Sequence, residues 1–388
     1  MKQKILFTAT VDYHFKSFHL PVLKWFHENG WEVHVAAHGT IDLPYTDSKF
    51  NLPIKRSPFN RRNTEAYRQL KEIIDHNHYS IIHCHTPVGG VLTRLAARDA
   101  RKKGTKVLYT AHGFHFCKGA PLQNWLTYYP VEKWLSSYTD CLLTINNEDY
   151  HLALNHRFKA GSIEHIHGVG VDTEKFCPIS NEEKEQRRKF YGYQKDDFLM
   201  FYAAEFNKNK NQKLLLQAMC HLKNKVPNAK LLLAGEGPLL AECKRFAEAN
   251  GLNDAVHFLG FRKDIADILP MCDLAVASSL REGLPVNIME AMACALPIVA
   301  TDNRGHRELV EDGVNGFIIQ DFNAITFSEK MAEISTFKAQ KEHFGEMSRL
   351  RLLKYETSSV IHELETIYNT YMQREDNETQ NQYNRAYI

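Results

Sequence analysis

No run of about 18 apolar residues interrupts this chain, so no segment reads as a transmembrane helix. The opening residues, Met1 to Phe7, have neither the length nor the cleavage site of a signal peptide and read as a first strand. The eight cysteines are scattered, without a C-x-x-C pair. Several, Cys141 and Cys272 among them, fall in strand or helix patterns, as reduced core thiols of a cytosolic protein do. There is no D-x-D triplet, the usual carboxylate cluster for a metal at a diphosphate. There is no G-x-S-x-G, so a hydrolase elbow is not supported. An excess of one charge sign is also lacking, since 48 Lys+Arg stand against 46 Asp+Glu and the formal net charge is only +2. No aromatic-basic motif accompanies it, and a nucleic-acid partner is not expected.

A chain of 388 residues with 44% hydrophobic content has room for two full cores. Short apolar runs alternate with helical patterns along its whole length. The strand candidates in the first half are Ile5–Thr8, Glu32–Ala36, Ser80–His83, Lys106–Thr110 and Cys141–Ile145. Those in the second half are Leu199–Ala203, Lys230–Ala234, Val256–Leu259, Leu274–Ala277 and Ile298–Ala300. This alternation predicts an α/β protein whose parallel sheets are covered by helices on both faces. Two such series predict two doubly wound domains, residues 1–170 and 171–354, joined by the glycine-rich link Gly168-Val169-Gly170. Residues 355–372 read as a C-terminal helix. The polar, Asn- and Gln-rich stretch 373–388 reads as a disordered tail.

The stretch from Ser278 to Ala293 carries the most chemistry. Two carboxylates, Glu282 and Glu290, flank a Gly283-Leu284-Pro285 turn that leads from a strand into a helix. Pro285 suits the first turn of that helix, where a missing N–H costs little. Unpaired N–H groups at a helix start attract phosphate. A carboxylate accepts hydrogen bonds from the paired hydroxyls of a sugar. The alternative is two solvated glutamates near a helix N-terminus, where acids are favoured in any case.

Glu282 through Glu290 reads E-x7-E, which resembles the signature of the family-4 retaining glycosyltransferases. Further stretches resemble that family in the same order. Ala204 to Asn211 resembles its phosphate loop, and Leu233 to Pro238 its second glycine turn. Phe258 to Phe261 resembles its base-pocket strand, and Thr110 to Gly113 its histidine motif. Gly170-Val171-Asp172 with Phe176 resembles its crossover between domains. The resemblance implies the GT-B fold, two facing Rossmann-like domains with a cleft between them, the last helix crossing back to the first domain. It implies a sugar transferred from a nucleotide-sugar donor, a UDP-sugar fitting a base read by main-chain bonds. It places His112, Lys210 and Glu282 in catalytic roles, with His112 and Glu282 near the donor sugar and Lys210 at the phosphates. It places Glu290 on the ribose, and Lys208, Gly235, Gly237, Phe261, Arg262, Gly283, Leu284, Pro285 and Val286 around the donor. One position departs from the pattern: Glu205 stands where the family commonly has arginine, and Lys208 could supply that charge.

No cofactor and no metal are expected, since lysines and helix N-termini can hold the leaving diphosphate. His83, His85, His112 and His115 could suggest a zinc site, but no carboxylate or cysteine lies at ligand spacing. His83 and His85 should share one sheet face and Cys84 the other. For the acceptor, the candidates are Lys16, His19, Phe114 and Lys118. Residues 1–170 contain 21 Lys+Arg and 14 Asp+Glu, an excess of +7, while the remainder contains 27 and 32, or −5. That basic half and the aromatic loop Phe114–Trp125, with Arg56, Arg61 and Arg62, suggest an anionic membrane surface and a lipid-linked saccharide acceptor. The protein would then sit in the cytoplasm, peripheral on the inner face of the membrane. The same aromatics could instead fill the core, the reading preferred for Trp134 and Tyr138. The stretch 112–121 looks like capsule and exopolysaccharide members of the family. The competing functions are a sugar-nucleotide 2-epimerase of the same fold and a non-catalytic assembly partner.

Overall fold

A computed structural model describes the backbone of residues 2–386 and the side chains of residues 2–372. The chain forms two compact units, Met1–Gly170 with Thr357 onward, and Val171–Glu356. In the first unit seven strands make one sheet: β1 (Lys4–Val11), β2 (Glu32–His38), β3 (Ser48–Asn51), β4 (Ile81–His85), β5 (Lys106–Ala111), β6 (Cys141–Thr144) and β7 (Ser162–His165). Their order is 3-2-1-4-5-6-7, and every pairing is parallel. In the second unit six strands make another: β8 (Phe198–Ala203), β9 (Ala229–Ala234), β10 (Val256–Gly260), β11 (Leu274–Ala277), β12 (Ile298–Thr301) and β13 (Gly316–Ile319). Their order is 10-9-8-11-12-13, again all parallel.

The central strands are apolar on both faces because helices cover both. Ile5, Leu6 and Phe7 of β1 are all fully buried, and so are Leu231 and Leu232 of β9. Strand order reverses between β1 and β4 in the first unit and between β8 and β11 in the second. Ligands of open α/β sheets bind beyond the carboxyl ends of strands at such reversals.

Three strands were not among those expected: β3 and β7, which are mixed in character, and β13, which is apolar but short. Each lies at the edge of its sheet and has only four residues. The helix opened by Thr357 extends to Ala386, so helical backbone occupies 373–386, where the composition suggests a disordered tail. Glutamine, glutamate and arginine favour helix even where there is nothing to bury. The side chains of that stretch and residues 387–388 lie outside the described residues.

His83 and His85 do share a sheet face, their ring centres 4.3 Å apart, while Cys84 belongs to the aromatic cluster of Phe114, Phe116 and Phe158 on the other face. That cluster corrects one expectation. Phe114 is 4% exposed and stacks on Phe116, which is fully buried. The loop's aromatics form core, because the loop folds under the helix Leu122–Leu135 and Trp125 and Tyr129 pack down on it. Trp134 corrects another, in the opposite direction. It is 52% exposed on that helix, along with Leu122 and Leu126. The buried face is set by Glu132, which receives a 2.8 Å hydrogen bond from the wholly buried Arg94. All eight cysteines are free.

Candidate active site

In the second unit the strand ends bring four chain segments together. Lys210, from the loop after β8, donates to Glu282 Oε1 at 2.5 Å, from the loop after β11. The lysine loop is held in place from behind. The Ser278 hydroxyl donates to the Lys210 carbonyl at 2.8 Å, and Asn207 Oδ1 accepts from the Lys210 N–H at 3.0 Å. Leu280 N–H donates to the Asn209 carbonyl at 2.7 Å, and Asn209 Nδ2 to the Arg281 carbonyl at 2.9 Å. Lys210 and Glu282 therefore sit on two loops stitched into one surface.

Gly235 follows β9 with φ +137°, and a Cβ there would lie 2.1 Å from the Ala204 carbonyl oxygen. Only glycine lets the two loops approach so closely. Gly237 presses in the same way on Phe206, whose N–H donates to the Glu236 carbonyl at 2.8 Å. Glu205 is exposed, and one carboxylate oxygen accepts from Asn207 Nδ2 at 3.0 Å. Lys208 is exposed too. Phe261 is exposed after β10, and Arg262 beside it is paired with Asp264.

The helix Val286–Ala293 begins at the turn Gly283-Leu284-Pro285, with Pro285 at its N-cap. Leu284 and Pro285 are buried; Gly283 and Val286 are partly exposed. Asn287 ties the helix start to β8 by donating to the Ala203 carbonyl at 3.1 Å. Glu290 lies one turn in and is partly buried; its carbonyl accepts from the Cys294 N–H at 3.2 Å, while its carboxylate makes no hydrogen bond among the described residues. Burial pushes its carboxyl up to about 7, with Lys175 pulling it back.

Sequence reasoning missed the segment after β12. Arg304 Nε donates to the Glu282 carbonyl at 3.0 Å. Gly305 fits under Glu282, where a Cβ would stand 2.7 Å from the Glu282 Cβ. His306 is fully buried, held through Nδ1 by the Thr301 carbonyl at 2.6 Å, and its Nε2 has no partner. Burial lowers it to about 4, so it is neutral. The Asn303 cap followed by a short helix was the available signal.

In the first unit His112 stands just after β5, partly exposed. Its Nε2 is 3.2 Å from His85 Nδ1 at the end of β4. His19 is buried, against its expected acceptor role, and its Nε2 lies 3.1 Å from His14 Nε2. Its burial follows from Phe15 and His85, whose rings pack against it. Lys16 and Lys118 are exposed. His115 is exposed and stacks on Tyr128, away from the other histidines. His83 is spoken for on both sides, by the Tyr368 hydroxyl at 2.6 Å and Thr110 Oγ1 at 2.8 Å.

Two parallel, doubly wound units with glycine turns and a Lys–Glu pair at the strand ends define a glycosyltransferase of the GT-B class. Solved structures of that shape match nearly the whole chain. Anabaena HepE in complex with UDP and glucose superposes with a TM-score of 0.78 at 18% identity over 95% of this chain and 100% of its own. The sucrose-phosphate synthase of Thermosynechococcus elongatus does so with a TM-score of 0.79 at 18% identity over 96% and 100%. Residues 183–351 match the family described as "Glycosyl transferases group 1", and residues 4–146 match "Glycosyl transferase 4-like". Among relatives, "Putative glycosyltransferase EpsD" of Bacillus subtilis (strain 168) is 52% identical over 97% of this chain and 99% of its own. A second, the "UDP-Gal:alpha-D-GlcNAc-diphosphoundecaprenol alpha-1,3-galactosyltransferase" of Escherichia coli, is 27% identical over 71% and 73%. The chain belongs to the glycosyl transferases group 1 family and is a glycosyltransferase.

Proposed function

We propose that the protein is a retaining transferase that moves a hexosyl or N-acetylhexosaminyl group from a UDP-sugar to a lipid-linked saccharide during surface polysaccharide assembly. The observation that carries this reading is the Lys210–Glu282 pair beside the start of the helix Val286–Ala293, with Glu290 one turn further on. In this reading Lys210 and the helix N–H groups hold the diphosphate, and Lys208 adds charge at the rim. Glu282 fixes Lys210 and meets the sugar hydroxyls. Glu290 accepts from the ribose diol. His112, on the first unit, orients the sugar. As the anomeric carbon–oxygen bond breaks, its electron pair passes to the diphosphate oxygen. The acceptor hydroxyl oxygen bonds to the same face of the anomeric carbon, and its proton goes to the departing phosphate. Preorganised positive charge is worth most where such negative charge grows.

The lipid-linked acceptor is supported by the Escherichia coli relative, whose name specifies a diphosphoundecaprenol-linked substrate, and by a Campylobacter jejuni relative whose name specifies diphospho-undecaprenol as well. Among the described residues no helix is long and apolar enough to cross a membrane. The face that fits a bilayer is the row Leu122, Leu126, Pro130 and Trp134, four residues apart along one exposed side of a helix. The protein would work at the inner surface of the cytoplasmic membrane.

The test is incubation with a panel of UDP- and GDP-sugars and a membrane lipid extract. Transfer of label from one UDP-sugar into the lipid fraction, with the anomeric configuration kept, is expected. Isomerisation of the nucleotide sugar without transfer would identify a 2-epimerase instead. Transfer only to a water-soluble acceptor would remove the lipid.

A further inference from the structure

We infer that His14, His19, His85 and His112 form a binding site for one divalent transition-metal ion, zinc by its ligand chemistry, in the first unit. The site goes beyond the transferase reading and does not depend on which sugar is moved. One ring nitrogen from each residue lies within 4.8 Å of all the others. Two of the nitrogen pairs stand at 3.1 and 3.2 Å. Four nitrogens held about 2.0–2.1 Å from a tetrahedral zinc would be spaced about 3.3 Å apart. The two close pairs already have that spacing, and the widest pair would close by about 1.5 Å on binding the ion.

Topology assembles the four. His14 and His19 follow β1, His85 ends β4, and His112 follows β5, and these three strands are neighbours in the sheet. Hydrogen bonding alone leaves the group incomplete. His85 is almost wholly buried; its Nδ1, the nitrogen of the 3.2 Å pair, faces only His112 Nε2, and its Nε2 has no partner. His83, which also faces this group, is saturated by Tyr368 and Thr110 and stays outside the ligand set. The surroundings suit a metal. Phe7 stacks on His85, and Phe15 packs against His85 and His19. The adjoining cavity, lined by His19, His85 and His112, holds about 10 Å³, at the lower limit for one water. An all-imidazole set suits zinc, copper or nickel and disfavours magnesium and manganese, which prefer oxygen. A bound ion would take one nitrogen of His112 and leave the other as a fixed N–H donor, which sets the tautomer with which this residue meets a sugar hydroxyl.

The test uses the full chain, freed of any affinity tag, stripped with a chelator and titrated with Co²⁺ and then Zn²⁺. One equivalent of cobalt should bind with the intense visible bands of a tetrahedral nitrogen site. Zinc should displace it and raise the melting temperature. His14→Ala, at a partly exposed ligand, should weaken cobalt binding at least tenfold and dim the bands, while His362→Ala, on an exposed histidine, should change neither. If His14→Ala does not fold, His14→Gln serves, and the wild-type spectrum and stoichiometry stand by themselves. Absence of tetrahedral bands in the wild type, or bands that survive in a folded His14 variant, would overturn the site.

Discussion

Lys210 and Glu282 hold each other at 2.5 Å, both largely shielded from water. Removing the lysine leaves Glu282 unpaired and, on the proposed mechanism, also withdraws positive charge from the leaving group. Lys210→Ala should lower turnover by roughly 10²–10³ with the fold intact, as removal of other preorganised charges does. Lys208→Ala should cost less, because that side chain is exposed. Turnover within a few-fold of wild type for the Lys210 variant would take it out of the mechanism. Glu290 makes a second prediction. Its carboxyl is pushed up to about 7 by burial, above the unfolded value near 4.5. The folded chain then holds a proton that the unfolded chain has lost between those pH values. Stability from this group is present below about 4.5 and lost as pH rises through 7. Glu290→Gln should consequently be more stable than wild type at pH 8, by about 1–3 kcal/mol. If Glu290 meets the ribose as proposed, donor binding should run the opposite way, since the ionised carboxylate accepts from a diol more strongly than its protonated form. Wild-type affinity for UDP should fall as pH drops below 7, and the Gln variant should bind weakly at every pH. Calorimetry at pH 6 and pH 8 checks both, and an affinity unchanged by the substitution would end the ribose assignment. These two glutamates could be singled out from sequence because they share one short segment with a turn between them. Arg304, Gly305 and His306 offered only the Asn303 cap as a signal, which marks a helix start and not a site, because only folding brings β12's exit against Glu282.

Secondary elements were legible where burial is two-sided. Of the ten strands legible in the sequence, all but β10 lie inside their sheets and are rich in apolar residues, whereas β3 and β7, with the sequences Ser-Lys-Phe-Asn and Ser-Ile-Glu-His, carry the mixed character of sheet edges. The helix Leu122–Leu135 was the hardest element to read. It has aromatic and aliphatic residues on every side, so spacing cannot choose which side is buried. A polar residue makes the choice: Glu132 turns inward to Arg94, whose guanidinium also lies 3.9 Å over the Tyr109 ring. Glu132→Ala should thus cost about 3–5 kcal/mol in a denaturant melt, the penalty of an unpaired buried charge. A loss below 1 kcal/mol would show that the pair does not set the helix's orientation. The side left outside carries Leu122, Leu126 and Trp134. Replacing all three with serine should abolish flotation of the protein with anionic vesicles at low salt, and the folded core should be untouched because none of them is buried. Flotation that persists in the triple variant would leave the basic surface of the first half as the sole attachment.

At the scale of the molecule, the same topological device appears twice. Each sheet reverses order next to its first strand, at β1/β4 and at β8/β11, and each reversal carries a cluster of polar residues. The doubly wound pattern was readable from alternating strands and helices. The identity of the first cluster was not, because His14, His19, His85 and His112 have no common spacing and contain no cysteine or carboxylate. The two clusters differ in chemistry, and that difference is measurable. The second unit offers a diphosphate Lys210, Lys208 and a helix N-terminus, groups that bind phosphate without an intermediary ion. The first offers imidazole nitrogens, which disfavour hard cations. Donor binding should therefore be indifferent to magnesium and manganese. The chelator-treated protein should bind UDP with an affinity that changes by less than about twofold when either ion is added at millimolar level, since a Mg²⁺ bridge would otherwise add several charge-assisted contacts. Zinc added to the same sample should occupy the histidines and raise the melting temperature without tightening UDP. A large gain in UDP affinity with Mg²⁺ or Mn²⁺ would mean that a metal, and not Lys210, faces the departing phosphate.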